Sequence, residues 1–462
     1  MSTYNESLTQ GSVAKGLLKF AIPVLLANIL QIVYSTTDLI IVGRFATTAD
    51  VSGVSTGSMT MGILTMAMVG LVMGVTVLIG HMAGARDETG IRRAVGTSIV
   101  FFILFTVAAM IPLIALNHWL VDVMNAPPEA VAQSRSYLLI CSAGTPFIVG
   151  YNLFGSMIRG FGDSKTPLKF VGLSCAINVI LDYVLIRWLH MGAAGAAVAT
   201  VAAQGVSLVF SAIHVFRHTF GFRLQLRDLR IHGPSLRRLL KVGVPQSLQE
   251  VLVQISFMII TALINRMGLA QSAAGGVGEK IIIYLTMPSA AISSSVATMA
   301  SHCLGAGKRS RAERCLVIGV FCAFCIGIVT HLVARFFGAE LASIFTKDRD
   351  VVYHTALYLT TYTLDTMLTA FVFPTNSYLA SCGYSVFAMA HSLVTTFLVR
   401  VPLAVLFSRR PGATLMDIGW AAPISSLASI VLCVLFLLLY VRRRKMPAER
   451  IAAEAAEAAE AE

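Results

Sequence analysis

Long apolar stretches recur from one end of the chain to the other, and they limit what it can fold into. A transmembrane helix needs about 20 predominantly apolar residues. Hydrophobic residues make up 56% of this chain and charged residues only 13%, a balance outside the range of soluble domains. The predicted crossings are twelve stretches at residues 16–41, 53–80, 94–116, 134–158, 168–187, 193–216, 240–266, 280–302, 315–337, 353–380, 386–408 and 418–441. The sequence therefore predicts an all-α polytopic membrane protein.

The distribution of basic residues predicts the orientation of the chain. An even number of crossings puts both ends on one side of the membrane. With the N-terminus inside, about two thirds of the 35 Lys and Arg residues fall in the inner connections, as the positive-inside rule requires. We therefore expect a multi-pass protein of the plasma (inner) membrane with both termini in the cytoplasm. Orientation and affinity for anionic membrane lipid then account for the net charge of +12, and nucleic acid is not expected as a partner.

The two halves of the chain carry matching landmarks in the same order, which indicates duplication of a six-helix unit. The matched pairs are Pro23 with Pro245, GHMAGARDETGIRRAVG at 80–96 with SHCLGAGKRSRAERCLV at 301–317, and GFGDS at 160–164 with SCGYS at 381–385. Two pseudo-symmetric lobes of six helices around a cavity are typical of transporters. The predicted parts are a cytoplasmic segment at 1–15, an N-lobe at 16–216, a basic cytoplasmic linker at 217–239, a C-lobe at 240–441 and a cytoplasmic tail at 442–462.

An acidic residue lies well inside the first predicted crossing. Asp38 is six residues before Arg44, so at 1.5 Å per residue it lies roughly 9 Å below the membrane edge that Arg44 marks. An ionisable group at that depth is costly unless a partner or a cavity compensates it. Pro23 removes one backbone hydrogen bond from the same helix, so a bend can form there. We interpret this helix as a moving element that binds an ion, with packing against a neighbouring helix as the alternative.

Two further crossings place polar oxygen atoms at the same depth. Asn178 and Asp182 are four residues apart, so both project from one face of the fifth helix. Counted from the ends of their crossings, Asp182 and Thr200 lie at about the depth of Asp38. Hard cations prefer oxygen ligands, whereas two neighbouring carboxylates also suit a shared proton. The four side chains therefore predict a site for Na⁺ or H⁺, and the amide and hydroxyl oxygens favour Na⁺.

The chain lacks the motifs of the enzymes for which it could be mistaken. It contains no HExxH or GxxxxGK[ST], and no GxSxG or Asp/His cluster falls on its loops. We therefore expect a transporter without a cofactor, and not an enzyme. An ion gradient is the expected energy source, since one charge falling through 100 mV supplies about 2.3 kcal/mol. The protein is expected to function as a monomer.

The polar residues resemble those of the MATE (multidrug and toxic compound extrusion) transporters, most closely of their DinF-like branch. The similar features are Pro23 with Asp38 in the first helix, Asn178 with Asp182 in the fifth, Thr200 in the sixth and the paired G/SHxxGA loops. The resemblance implies that the four polar side chains correspond to the first-lobe cation site of that family.

The resemblance covers about residues 15–440 and implies an ion-coupled antiporter. Such a protein exports lipophilic, mostly cationic drugs or toxic compounds by alternating access. Gln31, Tyr34 and Asn152 fall on positions that line the cavity of the same lobe in such relatives. Ordinary hydrogen bonding between helices is an equal alternative for these three residues. The implied partners are small-molecule drugs or organic cations and membrane lipid.

The second half of the chain does not repeat the acidic constellation. At the repeat offset, Asp38 matches Ile260 and Asp182 matches Leu403. Polar groups that served only the packing of a lobe would be expected in both copies. The sequence therefore predicts that ion coupling belongs to the first lobe.

The second half instead carries three other charges well away from the ends of its predicted crossings. Acids on the same two helices form a cation site in the NorM-like branch, but Glu250 is only five residues after Pro245, and Asp365 is displaced by about a turn. We expect these acids to attract substrate or to form local hydrogen bonds, with a second ion site as the alternative. Arg400 is expected to pair with an acid or a backbone carbonyl.

A flippase for lipid-linked sugars or other lipids, from the same superfamily, is the main alternative function. Two six-helix lobes would serve it equally well. An anionic headgroup requires cationic cavity walls, however, and the charges within the first lobe are acidic. This favours cationic cargo.

Overall fold

The computed structural model describes most of the chain, in three segments: residues 8–124, 126–217 and 225–441. These segments are helical and contain no strand. The predicted tail at 442–462 lies outside the described residues, as do the first seven residues and residues 218–224 of the predicted linker. The all-α class predicted from the apolar stretches is confirmed.

The described residues of the first half form eight α-helices. They are α1 (Val13–Phe45), α2 (Thr48–Ala85), α3 (Glu88–Ala115), α4 (Asn117–Val123), α5 (Val131–Ala143), α6 (Thr145–Gly160), α7 (Lys165–Asp182) and α8 (Gly192–Arg217). Short 3₁₀ turns cover Pro128–Ala130 and Leu226–Asp228, and a π-helical turn, Tyr183–Trp188, follows α7.

The second half, as far as residue 441, forms ten α-helices. They are α9 (Gly233–Asn265), α10 (Leu269–Gly305), α11 (Arg309–Phe336), α12 (Gly338–Ser343), α13 (Arg349–Tyr362), α14 (Leu364–Ser381), α15 (Ser385–Thr395), α16 (Val401–Ser408), α17 (Leu415–Gly419) and α18 (Ala421–Phe436). The π-helical turns Thr396–Arg400 and Leu437–Val441 follow α15 and α18. Since α9 begins at Gly233, the end of the predicted linker is already helical.

Ten of the described helical segments are long and apolar enough to cross a membrane, and a bent pair adds an eleventh. The bent pair joins Pro128–Ala143 to Thr145–Gly160 at an angle of 50° and fills the predicted crossing at 134–158. The predicted crossing at 353–380 is divided between α13 and α14, whose junction is rich in threonine and contains Asp365. This polarity explains why neither helix is among the candidate membrane spans. The total of twelve crossings stays a prediction.

The described residues form two compact units. Leu26–Gly243 makes up the first, and the second joins residues 8–25 to residues 244–441. Each unit has buried apolar clusters of its own. These units differ from the lobes drawn from the crossings, because the start of α1 belongs to the second unit and the start of α9 to the first.

Both changes of unit fall inside a continuous helix, just after or just before a proline. In α1 the change follows Leu25, two residues after Pro23, and in α9 it follows Gly243, two residues before Pro245. A proline within a helix removes one backbone hydrogen bond and weakens the helix locally. The repeat-related prolines therefore mark the places where each helix leaves one unit for the other.

Candidate functional site

Three helices of the first unit bring four polar side chains together. Asp38 lies in α1, Asn178 and Asp182 lie at the end of α7, and Thr200 lies in α8. Their exposed fractions are 7%, 0%, 0% and 7% in that order. Thr200 Oγ1 donates a hydrogen bond to Asp38 Oδ2 at 3.4 Å, and Asp182 and Asn178 also face the Asp38 carboxylate. We call this group the four-residue cluster.

Most polar atoms of the four-residue cluster have no hydrogen-bond partner among the described residues. They are one oxygen of Asp38, both carboxylate oxygens of Asp182 and both polar atoms of Asn178. An unpaired buried donor or acceptor costs about 1–3 kcal/mol. Oxygen atoms dominate this set, and a small dehydrated cation requires several such oxygens at once. The residues present therefore fit a cation such as Na⁺, while the carboxylate pair also fits a proton.

The local helix geometry at Asp182 is irregular. The α-helical part of α7 ends at Asp182, and Tyr183–Trp188 continue it as a π-helical turn. Such turns are rare and often occur at functional sites. Asn178 lies one turn earlier on the same face, as its spacing predicts. The π-helical turn therefore directly follows Asp182, the residue whose carboxylate faces Asp38.

The Asp50 carboxylate, in the first turn of α2, fixes the start of α8, the helix that carries Thr200. Asp50 Oδ1 accepts a hydrogen bond from the Ala193 backbone N–H at 2.9 Å, and the other Asp50 oxygen closes a capping box with Thr47 at the start of α2. The first turns of α8 then pack closely through small buried residues: Ala193, Ala196, Ala197 and Ala199. Thr200 follows Ala199 directly in the sequence, so these closely packed turns set its position.

The structure adds residues to the cluster that sequence analysis missed. Tyr34, expected to line the cavity, faces Asp38 and Thr200 and also lies beside Gln204. The Gln204 side-chain oxygen is buried without a hydrogen-bond partner among the described residues. Gln204 lies one turn after Thr200, so helical spacing alone could have indicated it. Tyr137 of α5 also lies near Tyr34 and Asp38.

Tyr137 reaches the cluster because α2 has no side chain where the two helices meet. A Cβ atom at Gly57 would collide with the Tyr137 ring, and one at Gly53 would collide with Gln133. These glycines frame the segment GVSTG at 53–57, which has the letters of the GxSxG nucleophile pattern. It lies inside the continuous helix α2, so close packing explains the two glycines.

The other two expected cavity residues have different surroundings. Gln31 is exposed on α1. Asn152 donates a hydrogen bond to the Ile148 carbonyl at 2.8 Å, within its own helix α6. The structure therefore brings Tyr34 to the cluster, whereas Asn152 uses its amide locally.

The two acids of the second unit are not brought together. Glu250 accepts a hydrogen bond from Gln246 at 3.2 Å, one turn away on α9. Asp365 has an exposed fraction of 9%, and its polar neighbours are Ser426 and Arg400. Neither acid has the other among its charged neighbours in the described residues. This unit therefore lacks a pair of facing carboxylates like that of the first unit.

The prediction that Arg400 pairs with an acid or a backbone carbonyl was wrong. Its guanidinium donates to the Tyr362 hydroxyl at 2.8 Å and lies over the Phe257 ring, 4.1 Å from the centroid. Asp365 and Glu279 lie near it, but within the described part of the chain neither forms an ion pair with it. A delocalised guanidinium can be held by a ring face and a phenol, which sequence spacing does not indicate.

Comparison with known proteins identifies the family. The sequence model of the MatE family matches two segments, residues 23–184 and 245–406, each beginning at a repeat-related proline. The probable multidrug resistance protein YoeA of Bacillus subtilis (strain 168) is 26% identical over 447 residues, which cover 94% of this chain and 96% of that protein. The probable multidrug resistance protein NorM of Thermotoga maritima is 24% identical and covers 85% of each chain.

Solved structures share the fold. A multidrug resistance MATE family transporter of the MOP superfamily, in an outward-facing conformation, has a TM-score of 0.89 at 22% identity, covering 96% of this chain and 99% of that one. A MOP superfamily transporter from Pyrococcus furiosus has a TM-score of 0.88 at 23% identity, covering 94% and 97%. Membership of the DinF-like branch stays a prediction. The chain belongs to the MATE family, whose members are multi-pass membrane transporters and not enzymes.

Proposed function

We propose that this protein is a cation-coupled antiporter that exports lipophilic, mostly cationic compounds by alternating access. It acts in the plasma (inner) membrane with both termini in the cytoplasm. The observation that carries the proposal is the four-residue cluster, in which two buried carboxylates face each other with an amide and a hydroxyl beside them. The names of the relatives, which are multidrug resistance proteins, support drug export.

The coupling ion is Na⁺ in this proposal, with H⁺ as the alternative. A proton shared between Asp38 and Asp182 needs no further oxygen ligands from Asn178 and Thr200. A cation uses all four side chains as ligands. Binding of the cation draws the two carboxylates together and alters α1 after Pro23, so that ion and drug exclude each other in the first unit. Ion entry from outside then accompanies drug release.

The buried acids also support a cationic cargo over an anionic lipid headgroup. Asp38 and Asp182 are the charged groups of the cluster, and each would repel a phosphate. Aromatic neighbours, Tyr34 and Tyr137, offer ring faces that suit organic cations. A lipid flippase would require basic residues in their place.

Gradient-driven export by purified protein in liposomes tests the proposal. We expect an inward Na⁺ gradient at equal pH to drive export of a fluorescent organic cation, since each tenfold gradient supplies about 1.4 kcal/mol. A pH gradient at equal Na⁺ should drive little. Liposomes without protein and an identical gradient of K⁺ are the controls. Export driven by pH alone would make the cluster a proton site, and transport of a labelled lipid-linked sugar instead of the drug would favour the flippase.

Replacing Thr200 by Val should weaken Na⁺ dependence selectively. The variant keeps the shape of the side chain and removes one of the expected cation ligands, so the Na⁺ concentration for half-maximal export should rise roughly tenfold. Thr37→Val is the matched control, because the Thr37 hydroxyl donates to the Val33 carbonyl of its own helix at 2.8 Å. An unchanged Na⁺ dependence in Thr200→Val would remove Thr200 from the set of ligands.

A further inference from the structure

Residues 8–11, just before α1, are held by one helical hairpin of the second unit, α10–α11. Four consecutive backbone carbonyls, those of residues 8–11, each accept a hydrogen bond from a side chain of this hairpin. The contacts are Cys303 Sγ to Leu8 O at 3.6 Å, Arg311 Nε to Leu8 O at 3.2 Å, Lys308 Nζ to Thr9 O at 3.1 Å, Arg311 Nη2 to Gln10 O at 2.7 Å and Arg311 Nη1 to Gly11 O at 2.8 Å. We call residues 8–11 the N-terminal strap.

Arg311 makes most of these contacts, and the strap is shaped to receive them. A guanidinium offers several donors in a rigid plane, so it can hold carbonyls that converge on it. Gly11 has φ of 70°, which turns the chain so that its carbonyl and that of Gln10 reach the same side chain. Leu8 is 2% exposed and packs in a buried cluster with Val13 and Leu17 of α1.

The corresponding segment of the other copy has a neutral hydroxyl among its partners. The chain before α9 is fixed by Thr97 of α3, whose hydroxyl donates to Arg230 O at 3.2 Å and accepts from His232 N at 3.0 Å. At the repeat offset, Lys308 and Arg311 match Asp87 and Gly90. At the start of the helix that carries Asp38, by contrast, Lys308 and Arg311 supply cationic donors to the backbone.

We infer that Arg311 is a positioning residue for transport. It fixes the start of α1 in the second unit, so that a change at Asp38 bends the helix at Pro23 without moving the helix as a whole. A bend transmits displacement only if one end is held, and Arg311 supplies three of the four charge-assisted hydrogen bonds that hold this end. The role in transport rests on the proposed function, whereas the anchor itself does not.

Amide hydrogen exchange tests the anchor directly. In purified Arg311→Gln, exchange over residues 12–20 should accelerate at least about tenfold, since loss of charge-assisted contacts lowers the cost of local opening. Exchange over α7 should stay unchanged. Arg311→Lys should lie between Arg311→Gln and the wild type. Arg314→Gln is the matched control, because Arg314 is exposed on the same helix.

Export kinetics then test the positioning role. We expect Arg311→Gln to lower the maximal export rate about tenfold while the drug concentration for half-maximal export stays within about twofold. Gly11→Ala disturbs the strap without changing any charge and should act in the same direction. Unchanged exchange in Arg311→Gln, equal acceleration in Arg314→Gln, or faster exchange with an undiminished export rate would each overturn the inference. If the wild type exports nothing under any gradient, the proposed function fails, and the exchange result still decides whether Arg311 anchors α1.

Discussion

Asp38→Asn is expected to abolish ion-driven export while leaving the protein folded in the membrane. The substitution keeps the size of the side chain and removes one of two facing charges from a buried site. The remaining Asp182 carboxylate alone holds a cation weakly, so the export rate should fall at least about a hundredfold, as expected when a buried charged partner is lost.

The stability of Asp38→Asn separates loss of coupling from misfolding. Two facing carboxylates are costly in a buried site. Removal of one of the two charges should therefore leave the midpoint of thermal unfolding unchanged or raise it. Export and thermal unfolding should be measured on the same purified samples, at equal amounts of protein. Wild-type export by this variant would show that the four-residue cluster does not couple transport.

Asp182→Asn is expected to reduce export much more than Asp365→Asn or Glu250→Gln. Asp182 faces Asp38 and is fully buried, so its loss should cost at least tenfold, or about 1.4 kcal/mol. Glu250 has a local amide partner, and Asp365 has no facing carboxylate among its described neighbours. Export by their variants should therefore stay within about threefold of the wild type.

Side-by-side efflux rates at equal expression measure this difference. The second-unit variants serve as charge-matched controls for Asp182→Asn, since each removes one acid from within a helix of the second unit. Equal or greater damage at Asp365 would place ion coupling in the second unit. In that case Arg400, which lies near Asp365, would become the next residue to replace.

The sequence was sufficient to locate the cluster because helical geometry converts residue spacing into depth. Asn178 and Asp182 share a face by spacing alone, and three helices entering from known sides put their polar residues at one level. Contacts between side chains on different helices cannot be predicted from residue spacing in this way. Tyr137 reaches the site through a gap at Gly57, and Arg400 is held by Phe257 and Tyr362; such pairings depend on how helices rotate and pack.

The boundaries of the units were also beyond sequence reasoning. Apolar stretches indicate where the chain crosses a membrane, and they assign each helix as a whole to one lobe. The structure instead changes unit within α1 and α9. Prolines at 23 and 245 were visible in the sequence as weak points, but the side of the proline on which a helix joins each unit depends on tertiary contacts.

The exchange of helix starts has a consequence for the origin of the chain. Each unit is completed by the first turns of a helix whose remainder belongs to the other unit, so a single six-helix copy would lack one helical segment of its own packing. Such a copy would become complete only by trading that segment with a second copy, as in a domain-swapped homodimer. Coexpressed half-chains, cut between residues 218 and 224, should accordingly be stable only as a pair.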